Sequence, residues 1–69
     1  MRYLLRPNCA ELIKNKYKNN YIATRLDLSA TYVSLVLHRK RAIAKHLAYA
    51  FTKVIDSDAN VEDLFEAVE

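Results

Sequence analysis

Apolar residues recur along this chain at helical spacing, in short blocks divided by polar pairs rather than by glycine. Pro7, then Asn8 with Glu11 three residues on, predicts a helix start; that helix runs to about residue 18, with Leu12, Ile13 and Tyr17 inward. "NN" at 19–20 signals a turn and cap before a second helix over about 21–27, and Ser29 caps a third over about 30–38. "HRKRAI" is a connector. A fourth helix follows over about 44–54, with Leu47, Ala50, Phe51 and Val54 at helical spacing. After the polar loop "DSDAN", Asn60 opens a fifth helix whose stripe is Val61, Leu64, Phe65 and Val68, at offsets 0, 3, 4 and 7. Residues 1–6 carry no decisive period: "YLL" fits a helical extension, a short strand or a packed arm.

Composition turns five helices into a fold class. The chain has 69 residues, no glycine and one proline, which disfavours hairpins and favours short helices with compact turns. The expectation is a single all-α domain over residues 1–69. With 52% hydrophobic and 28% charged residues the composition is globular. There is no long apolar run and no charged-then-apolar leader pattern at Met1, so a membrane partner is not expected. The lone Cys9 can form neither an internal disulfide nor a metal cage, and it reads as a small core or helix-start residue of a cytoplasmic protein.

Charge sharpens the picture further. Residues 1–55 hold all 11 Lys and Arg against only Glu11 and Asp27, a net +9, whereas residues 56–69 hold six acids and no base. A cationic body with an anionic tail points to a polyanionic partner for the body.

The second and third helices are separated by about three residues, the length of a helix-turn-helix connection. Small Ala23 stands where two helices must approach. Ile22, Leu26 and Leu28 bracket the turn as apolar anchors, and Val33 and Val36 face one core. That leaves Ala30, Thr31, Ser34, Leu35 and then His38 on a small, uncharged outer face.

This pattern resembles the helix-turn-helix of the phage repressor and Cro proteins and the wider Xre family of bacterial regulators. The resemblance is carried by "YIATRLDLSATYVSLVLHRKRAIAKHLAYAFTKVI" and "NVEDLF", across about residues 10–66 with the motif near 19–38. It implies a compact five-helix lambda-repressor-like domain with no cofactor, acting as a sequence-specific regulator of transcription. In such proteins the third helix lies in the major groove of a double-stranded DNA operator and the second crosses the backbone. Carried over by position, Ser29, Ala30, Thr31, Ser34 and Leu35 form the base-reading face. Thr31 and Ser34 discriminate weakly, and Ala30, Leu35 and the Thr31 methyl sense thymine methyl groups. Asn19, Asn20 and Tyr21 fall where the family's second helix offers its N-terminus to a phosphate. His38, Arg39, Lys40 and Arg41 flank the exit of the third helix, Arg25 lies on the exposed side of the second, Tyr32 can lie along the backbone, and Lys45 opens the fourth. Packing against the fourth helix is the alternative for Tyr32 and Leu35, and a solvated basic loop is the alternative for 39–41. The family usually has glycine in the motif's turn and again after the third helix; Asp27 and Arg39 stand there instead.

One such domain reads only about four to six base pairs, so a homodimer on half-sites is expected. Val61, Leu64, Phe65 and Val68 either form its seam or close the monomer's core. Catalysis and a metal site are not expected: His38 and His46 are eight apart without a partner at ligand spacing, and no base adjoins Cys9. Two other readings stay open, an antitoxin or anti-CRISPR-associated autoregulator with a protein partner, and a helical protein-interaction module that does not bind DNA.

Overall fold

A computed structural model describes residues 1–68; Glu69, the last acid of the tail, lies outside the described residues. The chain runs β1 (Arg2–Leu5), α1 (Pro7–Lys16), α2 (Asn19–Leu26), α3 (Ala30–Leu37), β2 (Ile43–Ala44), α4 (Lys45–Ile55), α5 (Val61–Leu64) and β3 (Phe65–Val68). The five expected helices are present, but the three strands form one antiparallel sheet in the order β2-β1-β3. The domain is therefore mixed α/β, and the all-α expectation is overturned. The undecided segment at the start supplies the central strand. Tyr3 and Leu5 alternate inward from it, pairing with Ile43 on one side and Phe65 on the other: Tyr3 faces Ile43 across β2, and Leu5 faces Phe65 across β3.

The fifth helix is also corrected. It stops at Leu64, and Phe65 turns to extended backbone (φ −122°, ψ 152°). The Arg6 N–H donates to the Leu64 carbonyl at 2.8 Å, so pairing with β1 takes over where the helix would have continued. Phe65 thereby meets Phe51 edge to face, with ring centroids 6.1 Å apart. Burying a ring this completely is worth about 2–3 kcal/mol, more than four residues of helix propensity can oppose. The Asn60 start is held by Asp63, whose carboxylate accepts the Asn60 N–H at 3.0 Å.

The first and fourth helices differ from expectation in which face they bury. α1 begins at Pro7 without a side-chain cap, and Glu11 pairs with Lys14 at 3.5 Å instead of closing onto Asn8. Its buried residues are Ala10 and Ile13, whereas Leu12 stays 68% exposed. In α4 the fully buried positions are Ala48, Phe51 and Thr52, with Leu47, Ala50 and Val54 half-buried around them. The Thr52 hydroxyl donates to the Ala48 carbonyl at 2.9 Å, which satisfies a fully buried polar side chain.

Candidate nucleic-acid interface

The motif is built as its local chemistry demands. α2 ends at Leu26, and Asp27 adopts the left-handed conformation (φ 57°, ψ 45°). The N–H groups of Asp27 and Leu28 both return to the Ala23 carbonyl, the latter at 2.9 Å, closing the turn. Ser29 caps α3 by accepting the Tyr32 N–H on its hydroxyl at 3.1 Å. Ile22 and Ala23 are buried at the crossing, and Val33, Val36 and Leu37 bury the inner side of α3. Leu26 and Leu28 pack on this core half-buried.

The outer side of α3 carries Thr31 and His38 exposed, with Ser34 and Leu35 half-buried between them. Leu35 lies outside the core cluster, but Tyr32 packs against it. The Arg41 guanidinium then covers the Tyr32 ring at 5.1 Å. His38 Nδ1–H donates to the Ser34 carbonyl at 2.8 Å, which leaves Nε2 as its outward-available nitrogen.

A groove of about 510 Å³ opens beside this face, lined by Lys14, Tyr17, Lys18, Asn19, Asn20, Ala30 and His38. It joins four residues singled out from sequence for DNA, Asn19, Asn20, Ala30 and His38, to Lys14 and Lys18, which were not, and to Tyr17, expected on the inner side of the first helix. Lys14 and Lys18 were given no role from the sequence; their i,i+4 spacing just before "NN" is the signal that could have found them. Asn19 and Asn20 are the first residues of α2, not a preceding cap, so their backbone N–H groups belong to the unsatisfied first turn. Next to the groove, Tyr17 and Tyr21 stack at 5.5 Å and Arg25 covers Tyr21 at 5.0 Å.

Arg39 is drawn elsewhere. Its backbone is left-handed (φ 59°), and its side chain turns to the sheet. Nε donates to the Leu5 carbonyl at 2.7 Å and a terminal nitrogen pairs with Glu66 at 3.0 Å. It therefore ties β1 and β3 to the exit of α3, and its assignment to the DNA backbone is withdrawn. Lys40 and Lys45 are exposed. Of the candidate dimer seam, Val61, Leu64 and Phe65 are buried in the monomer at 6%, 8% and 1% exposure, and Val68 is half-buried on β3. The core alternative holds for Val61 and Phe65; Leu64 is buried in the core as well but keeps one edge on the concavity between α1 and α5.

Among the described residues no helix is long and apolar enough to cross a membrane, and no three His, Cys, Asp or Glu side chains gather where a metal ion could be held. Comparison with protein-family models, with curated proteins and with solved structures finds no match to this chain.

Proposed function

We propose that this chain is a sequence-specific double-stranded DNA-binding regulator of transcription, acting as a cytoplasmic, nucleoid-associated repressor with α3 in the major groove. The observation that carries the reading is the juxtaposition of a small, uncharged outer face on α3 with a cationic groove at the start of α2. A helix lying in the major groove needs a face that bases can approach closely, with phosphate-binding groups beside it to set its register. Thr31, Ser34 and Leu35 supply the first, and Lys14, Lys18 and the α2 N-terminus supply the second. Lys40 and Arg41 add charge at the exit of α3.

The face has no Arg, Asn or Gln to pair bidentately with a base. Specificity on this reading rests on thymine methyl contacts, groove shape and water-bridged hydroxyls, and a discrimination of about 1–3 kcal/mol per mismatched base pair is expected. The test selects duplexes from a random pool, then titrates the selected and a scrambled duplex at several salt concentrations. The expected outcome is a specificity ratio of about a thousand or more that falls by at least about tenfold in Thr31→Ala/Leu35→Ala. A ratio near one, unmoved by that pair of substitutions, overturns the reading.

A further inference from the structure

The apolar surface left over by the fold lies on the far side of Tyr17 from the cationic groove. There a concavity of about 760 Å³ runs between α1, the end of α4 and α5, lined by Cys9, Ile13, Tyr17, Ile55 and Leu64, with Leu12 on its wall. A single exposed leucine is ordinary. Leu12, 68% exposed against a concave apolar floor, forms a knob next to a hole. The same concavity has Lys16 on its α1 side and Asp56 at the end of α4, both exposed.

We propose that this groove docks a second copy of the chain about a two-fold axis, with each Leu12 seated in the other copy's groove and each Lys16 facing the other copy's Asp56. An isologous interface uses one patch twice, so the patch must contain both a projection and its recess, and both signs of charge. This patch contains all four. Lys16 holds its ammonium 5.7 Å from the ring centroid of its neighbour Tyr17, which also lines this groove, and Lys16 alone among the basic residues lines it, whereas Lys14 and Lys18 line the cationic groove. Tyr17 lines both concavities, so a dimer closed here carries its two cationic grooves next to the symmetry axis. The use of such a dimer, reading two half-sites, rests on the DNA-binding proposal; its existence does not.

Sedimentation of the DNA-free chain from about 1 µM to about 1 mM tests it. The expected result is a reversible monomer–dimer equilibrium that Leu12→Glu weakens about tenfold or more. Lys16→Glu and Asp56→Lys each weaken it, and the two combined restore it. Cys9, the only cysteine, lines the groove, so its alkylation should slow as the wild-type concentration rises and should not slow in Leu12→Glu. A monomer at every concentration overturns the proposal, as does a dimer that Leu12→Glu leaves intact or a charge exchange without restoration. Each variant is checked for wild-type far-UV circular dichroism. A dimer that behaves as expected but shows no preference for any duplex removes the DNA-binding reading and leaves this one standing.

Discussion

Asp27 and Arg39 both hold φ near +60° in a chain without glycine, but the two residues answer different demands. At Asp27 the requirement is conformational: the left-handed residue lets two N–H groups close on Ala23, and a short acidic side chain tolerates it at modest cost. Asp27→Asn and Asp27→Gly should therefore stay within about 0.5 kcal/mol of wild type in urea unfolding, whereas β-branched Asp27→Val should lose about 1–2 kcal/mol. At Arg39 the side chain adds its own bonds to Leu5 and Glu66. If backbone freedom alone mattered, Arg39→Gly would stabilise the domain. Because it also unties the strands from the exit of α3, a net loss of about 1 kcal/mol is expected, discounted for a pair that is a third exposed. The positions were visible in the sequence as missing glycines. The sheet that Arg39 serves was not.

At the scale of elements, what the sequence revealed depends on how local the determining interactions are. α2, the turn and α3 were legible because a cap, a small crossing residue and a helical apolar period lie within some twenty residues; Ser29, Ala23 and the period stand where expected, while α2 starts at Asn19 and takes in the pair expected to precede it. The strands are four, two and four residues long, and β1 pairs with a segment 60 to 66 residues away. A period-two signal this short cannot outweigh a helical one, and "VEDLFEAV" satisfies offsets 0, 3, 4 and 7 whether or not its second half is helical. The face of α1 was misjudged for a related reason. The core takes up small Ala10 with Ile13, three positions apart on one side of α1, and Leu12, about 200° round the helix from Ala10, falls outside it. Leu5, fully buried opposite Phe65, is the residue on which the two folds differ most. Leu5→Ala should cost about 2–5 kcal/mol, a large fraction of the stability of a domain this small, while Leu12→Ala stays within about 0.5 kcal/mol in the same denaturant titration.

For the whole molecule, the +9 of residues 1–55 overstates the charge available to a polyanion, because the fold spends part of it on itself. Arg2, Arg6, Arg39 and Lys53 reach backbone carbonyls of β1, α5 and the loops, and Glu66 of the acidic tail meets Arg39 at the exit of α3. The cations left to face a duplex gather around the start of α2 and the 40–41 connector, beside the outer face of α3; Lys14 is among them because its pair with Glu11, at 3.5 Å, is made to an exposed carboxylate that a phosphate can replace. This partition makes a prediction that net charge alone does not. Each phosphate contact contributes about 0.9 to the log–log salt slope of duplex binding, so Lys14→Ala/Lys18→Ala should flatten the slope by about 1.8. Arg39→Ala removes the same kind of charge a few residues from α3. Since that charge is committed to the sheet, it should lower the unfolding midpoint and leave the salt slope unchanged. A uniform electrostatic steering field would flatten the slope for every Lys or Arg removed. Measuring the three slopes on one duplex separates a built phosphate groove from general basicity, and a slope that falls as much for Arg39→Ala as for each groove lysine decides for the latter.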